Sequence, residues 1–297
     1  MDEFARSDLA AECGGTEDVS GVSVRQSEAG GCAILQVQIR TREAAARIGK
    51  PEGRYVTVDC GDIRNMDELE NERVTRTLAV EIREMAQRMS GKRVGQGFSL
   101  LVVGLGNGDI TPDAVGPETL RRLSVTRHLH RLDNALFSTV GLCEISALAP
   151  GVLGQTGIET VELVRGAVRA AKPDLVIAVD ALAARSVARL AATVQISDTG
   201  ISPGSGIGNA REALDRDSVG VPVMALGVPT VVDSATLVFD ALRKAGYGEP
   251  TGEMRNVLEN GKRFFVSPKE IDLLVSSVAV LLAGALEKAF TVDGSEL

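Results

Sequence analysis

The stretch Leu100-Leu101-Val102-Val103-Gly104-Leu105-Gly106-Asn107-Gly108-Asp109-Ile110-Thr111-Pro112-Asp113-Ala114-Val115-Gly116-Pro117 decides the reading of this chain. Its first part is a short apolar run bounded by glycine, the pattern of a strand buried on both faces of a parallel sheet. The run breaks into a loop of glycines, prolines and aspartates, and Pro117 with Glu118 then opens a helical pattern. Strand, polar loop and helix in this order set a ligand outside the carboxyl end of a strand in an open α/β sheet. A second stretch, Asp174-Leu175-Val176-Ile177-Ala178-Val179-Asp180, is also an apolar run ending on a carboxylate. Asp113 and Asp180 are therefore the leading candidates for a working site.

Working outward, strands are expected at 32–40, 55–59, 193–197 and 221–228. Helices are expected at 66–89, 118–129, 158–171, 231–245 and 269–290, from apolar spacings of three to five residues. Residues 1–30 read as a polar tail, and 246–268 show no clear period. Strands alternating with helices from residue 99 onward imply an α/β/α sandwich, to which the first 98 residues add a hairpin and a helix.

Composition narrows the function classes. The 297 residues are 44% hydrophobic and 24% charged, which marks a folded chain. A net charge of −8 argues against direct nucleic-acid binding, which draws on a basic face. The longest nearly apolar run, 273–286, is shorter than a membrane span, and residues 1–12 lack the apolar core of a signal peptide. Cys13, Cys32, Cys60 and Cys143 are scattered with no C-x-x-C, as in a cytoplasmic protein with reduced thiols.

Several short motifs compete with the aspartates. Gly104 and Gly106 begin a G-x-G-x-x-G, but Asp109 stands at its third glycine and would face a pyrophosphate. Gly200-Ile201-Ser202-Pro203-Gly204 matches G-x-S-x-G, yet Pro203 has no N–H to give an oxyanion, so Ser202 reads as a turn residue. Asp198-Thr199-Gly200 is the triplet of aspartic proteases that need two copies on β-rich lobes; a turn closed by Asp198 is the plainer reading. His128 and His130, two apart on a helix, face different ways and make a poor metal pair. Cys143 has no recognisable base. For Asp113 and Asp180 the plain alternative is helix or strand capping. Against it, carboxylates at neighbouring strand exits, about 4.8 Å apart, can share one water. Like charges so close push one pKa up and divide the pair into an acid and a base.

The runs Gly104-Leu105-Gly106-Asn107, Thr111-Pro112-Asp113-Ala114-Val115-Gly116-Pro117, Ala149-Pro150-Gly151-Val152, Asp180-Ala181-Leu182-Ala183-Ala184-Arg185, Gln195-Ile196-Ser197-Asp198-Thr199-Gly200-Ile201 and Gly227-Val228-Pro229-Thr230-Val231-Val232-Asp233 resemble, in order, the bacterial spore germination protease family, the GPR endopeptidases. The resemblance covers nearly the whole chain. It implies an atypical aspartic peptidase with a three-layer α/β/α sandwich similar to hydrogenase maturation peptidases. It also implies a self-processing zymogen, a homotetramer in the spore core cytoplasm, and small acid-soluble spore proteins as substrates. The family's proposed catalytic aspartates fall on Asp113 and Asp180. No counterpart of the maturation peptidases' metal-binding histidine is visible, so no metal or other cofactor is expected, and neither nucleic acid nor membrane is expected as a partner. Ser7-Asp8-Leu9-Ala10-Ala11-Glu12 resembles the sequence this family cleaves, which places processing between Ala10 and Ala11. Residues 1–10 would then be a propeptide and 11–297 one peptidase domain. Arg185, just past Asp180, is the expected reader of the substrate's acidic residue. The rival readings are a metal-dependent maturation peptidase of the same fold and a non-catalytic anion-binding protein.

Overall fold

The computed structural model describes residues 7–13, 19–202, 212–247, 251–260 and 264–292. The first six residues of the expected propeptide, and residues 203–209 of the glycine-rich loop with its G-x-S-x-G end, lie outside the described residues.

The described residues build a mixed α/β fold around a nine-stranded sheet. Its strands are β1 (Val22–Ala29), β2 (Cys32–Ile39), β3 (Gly53–Asp59), β4 (Ser99–Gly104), β5 (Glu144–Leu148), β6 (Leu175–Ala184), β7 (Thr193–Ser197), β8 (Val223–Asp233) and β9 (Phe265–Val266). The order is β1-β2-β3-β7-β8-β6-β4-β5, with β9 on the far end of β8. From β8 to β5 the neighbours run parallel, and from β1 to β8 they run antiparallel.

Alternation along the strands feeds two cores. Leu100 and Val102 of β4, Ile177 and Val179 of β6, and Met224, Leu226 and Val228 of β8 pack with α2 (Glu68–Ser90) and α11 (Ile271–Ala289). Leu101, Val103, Val176 and Ala178 face the other way, against Val161, Val164 and Val168 of α7 (Thr160–Ala171) and Val219 of α8 (Arg216–Val219). Helix α2 starts at a capping box formed by Asp67 and Glu70 and stops at left-handed Gly91. A third cluster joins Val37, Ile39 and Tyr55 to Ala44 and Ile48 of α1 (Arg42–Ile48).

Several sequence expectations are corrected. Residues 22–29 are strand β1, not tail; they pair with β2 from Val22↔Ile39 to Ala29↔Cys32 across a two-residue turn. Gly30 and Gly31, at φ +57° and +79°, supply the left-handed pair such a turn demands. The expected helix 118–129 is broken into α3 (Val115–Leu120) and α4 (Arg127–Leu132), followed by α5 (Asn134–Val140). Buried Thr126 causes the break: its hydroxyl donates to Cys143 O at 2.6 Å and accepts from Ile145 N at 2.8 Å, which draws the chain onto β5. Strand β8 runs through Val231 to Asp233 before α9 (Ser234–Lys244) begins, and residues 246–268 contain α10 (Gly252–Asn260) and β9. Strand β6 continues four residues past Asp180, so that aspartate is mid-strand and not a strand-terminal cap.

Two glycines set how α3 seats on the sheet. A Cβ on Gly116 would lie 2.5 Å from Leu105 N and 2.6 Å from Val179 O, and one on Gly104 would lie 2.6 Å from Gly116 C. These neighbours are backbone atoms held by the bond from Leu105 N to Val179 O at 2.8 Å, so they cannot swing aside. Gly116→Ala is expected to destabilise the protein by about 1–3 kcal/mol through overpacking. The checks are the thermal unfolding midpoint and peptide cleavage, both of which should fall.

Candidate active site

Helix α3 is preceded by a single 3-10 turn, Thr111–Asp113, and its seating carries Asp113 to the carboxyl end of β4. The Asp113 carboxylate accepts from Asn107 N at 2.6 Å. Gly106 permits the approach: at φ +102°, any Cβ there would overlap the Asp113 carbonyl oxygen. The Asn107 side chain is fixed in turn, accepting from Asp109 N at 2.9 Å and from Gln155 Nε2 at 2.9 Å. Gln155 belongs to the short α6 (Leu153–Thr156), within the glycine-bearing segment after β5.

Asp180 stands one residue beyond the row in which β4 ends, Gly104↔Val179. It is 6% exposed and accepts from Ala181 N at 2.9 Å. Burial raises its pKa well above the ordinary carboxylate value, the Asp113 charge raises it further, and the Ala181 N–H opposes both. Asp113 is also raised by burial, but the Asn107 N–H works against the shift. The two carboxylates expected from sequence thus act on one another, and Asp180 is the more strongly raised of the two.

A bulge completes the arrangement. Between β6 and β8 the register slips after Leu182↔Pro229 to Ala183↔Val231, which leaves Thr230 as the extra residue. Its hydroxyl donates to Pro112 O at 2.7 Å and ties the Asp113 turn to β8. Sequence reasoning missed Thr230 as a site residue, although it lies in the quoted run 227–233; a threonine beside a proline in an apolar strand is the signal that was there.

The N-terminal segment lies on the same end of the sheet. Asp8 N donates to Ala183 O and its carboxylate accepts from Ala183 N, both at 2.9 Å. Ala10 N donates to Gln195 Oε1 at 2.7 Å. Gln195 pairs with Gly227, which pairs with Asp180, so all three occupy one row across the strands. Ala10–Glu12 forms a 3-10 turn in which Cys13 N donates to Ala10 O at 3.3 Å. Arg185 follows the last residue of β6, and its backbone N–H donates to the Glu12 carboxylate at 2.6 Å.

The competing motifs find other uses. Gly104 and Gly106 make room for Gly116 and Asp113. The Asp198 carboxylate accepts from Arg54 N at 2.7 Å, with Arg88 and Arg54 as its charged neighbours, and ties the end of β7 to the start of β3. His130 stacks on Phe137 at 4.6 Å and meets Glu144 at 2.5 Å. Cys143 is buried and its thiol is pushed up to about 11, which suits packing and not nucleophilic attack. Among the described residues no three His, Cys, Asp or Glu side chains gather as metal ligands, and no helix is long and apolar enough to cross a membrane.

Residues 3–245 match the Peptidase_A25 family, described as germination protease. The chain is 40% identical to the germination protease of Caldanaerobacter subterraneus subsp. tengcongensis over 96% of its length and 93% of that protein. It is 38% identical to the Clostridium perfringens (strain SM101) germination protease, over 86% and 83% of the two chains. With the Priestia megaterium germination protease the identity is 35%, over 92% and 86%. A match of this extent, on a fold that brings Asp113 and Asp180 together, places the chain in the germination protease family of endopeptidases, peptidase family A25.

Proposed function

We propose that the chain cleaves small acid-soluble spore proteins during germination, with Asp113 and Asp180 as the reacting pair. The observation that carries this is the buried Asp180 within reach of the Asp113 charge, which together with burial raises its pKa well above the ordinary carboxylate value. Asp113, with the Asn107 N–H favouring its ionised form, acts as the base and takes a proton from water as the water attacks the peptide carbonyl. Protonated Asp180 donates to the carbonyl oxygen while charge builds there. Asp113 then passes its proton to the leaving amine as the C–N bond breaks, Asp180 takes a proton back from a hydroxyl of the collapsing gem-diol, and both groups return to their starting states. No cofactor enters this scheme.

The finer reading follows the family: a three-layer α/β/α sandwich like that of hydrogenase maturation peptidases, a homotetramer, a spore-core location, a propeptide at 1–10 and a peptidase domain at 11–297. Processing between Ala10 and Ala11 is supported by the match of residues 7–12 to the family's cleaved pattern and by their position on the Asp180 end of the sheet. The Ala10 carbonyl is tied up in the 3-10 turn, so the turn must open before attack. That requirement would keep the precursor intact until activation.

Asp113→Asn and Asp180→Asn are each expected to lower peptide turnover by about 10²–10⁴-fold with the fold retained, while Asp198→Asn stays active. An inactive Asp198→Asn beside an active Asp113→Asn would reverse the assignment.

A second expectation concerns stability. Asp180 has a folded pKa raised above its unfolded value, so the folded state binds the extra proton and stability falls as pH rises above about 4. The loss grows until the pH passes the folded pKa. Asp180→Asn removes that burden, so its unfolding midpoint should exceed wild type by about 2–4 °C per kcal/mol relieved at pH 7, and the gain should vanish below pH 4. Calorimetric scans across pH read this directly.

N-terminal sequencing of activated protein should find a new terminus at Ala11, absent in both aspartate variants. Fully active enzyme that still begins at Met1 would show residues 7–12 to be only a tail.

A further inference from the structure

The body of the protein meets residues 7–13 with a set of groups that reads like a binding site. Gln195 clamps main chain from both sides: its Oε1 accepts from Ala10 N at 2.7 Å and its Nε2 donates to Asp8 O at 3.1 Å. This amide imitates a strand partner and makes no demand on side chains. Leu9 is fully buried among Leu182, Ala184 and Val232, with Leu190 and Leu237 at the edge. The Glu12 carboxylate, its side chain only 5% exposed, accepts from Arg185 N at 2.6 Å and Ser186 N at 2.9 Å and pairs with Arg189 Nε at 3.4 Å. A nearly buried carboxylate met by two N–H groups and a guanidinium is a pocket for negative charge. The chain leads these groups directly from the Asp180 row: β6 runs on to Ala184, and Arg185, Ser186 and the 3-10 turn Val187–Arg189 follow.

We propose that this surface is the substrate-reading groove and that Arg189 and Gln195 determine specificity. Gln195 positions the substrate main chain and the Leu182–Ala184–Val232 pocket takes an apolar residue. Arg189, with the N–H groups of Arg185 and Ser186, selects a carboxylate three residues farther on. The ligand class is an acidic peptide with that spacing, and in the full chain residues 7–13 occupy the groove ahead of it. This rests on Asp113 and Asp180 as the reacting pair. It adds the Arg185 backbone N–H and the Arg189 guanidinium to acid recognition.

A charge exchange tests it. Wild type and Arg189→Glu, both activated so that their own N-terminal residues have left the groove, are given two labelled peptides, acetyl-SDLAAEG-amide and its analogue with lysine in place of the glutamate. Binding is measured by anisotropy and cleavage by kcat and KM. Wild type should prefer the glutamate peptide at least tenfold, in Kd and KM more than in kcat. Arg189→Glu should invert the preference, and Arg189→Gln should erase it, since a group that only stabilised the fold would not exchange partners. Cleavage of both peptides with an unchanged preference in Arg189→Glu overturns the groove and leaves the aspartate pair standing. Inverted binding with no cleavage by wild type sustains the groove and overturns the pair.

Discussion

The site depends on one close approach, the seating of Gly116 on the backbone where β4 and β6 diverge. With no side chain at Gly116 or Gly104, α3 presses directly on Leu105 and Val179. That contact fixes the height of the 3-10 turn before α3 and so the position of Asp113 relative to Asp180. Gly106 and the Thr230 hydroxyl secure the same turn from two other directions. At Gly104, Gly106 and Gly116 there is no room for a Cβ.

Holding two carboxyl groups in this setting costs stability. Asp180 is almost out of water and has one N–H partner among its bonds, while a second carboxylate raises its pKa further. The environments are unequal, and in the proposed mechanism that inequality divides the pair into a proton holder and a proton acceptor. Asp113 has the Asn107 N–H, and Asn107 is braced by Gln155 from across the loop. Each carboxylate accepts one backbone N–H, so the asymmetry comes first from the deeper burial of Asp180.

Extension of β6 and β8 beyond the end of β4 gives the site its reach. The parallel neighbour stops at Gly104, but β6 continues to Ala184 and β8 to Asp233, and the N-terminal segment lies on this overhang. Such an overhang exposes backbone donors and acceptors unless another chain segment takes them. Asp8 takes both groups of Ala183, and Glu12 takes the N–H groups of Arg185 and Ser186.

The sequence by itself determined the parallel strands and the long α2 and α11, because apolar runs and helical spacings carry their meaning locally, and it singled out the two aspartates that the fold sets at one end of the sheet. Its resemblance to a family determined the kind of peptidase. It did not determine that β6 runs through Asp180, since a strand's end depends on whether a neighbour continues beside it. Nor did it reveal β1 or the break at Thr126, which rest on pairing with β2 and on hydroxyl bonds to Cys143 and Ile145. Thr230, Gln195 and Arg189 enter the site only through tertiary structure. A bulge, a row shared by three strands and a carboxylate from the far N-terminus give them their roles, and none of these leaves a periodic trace in the chain.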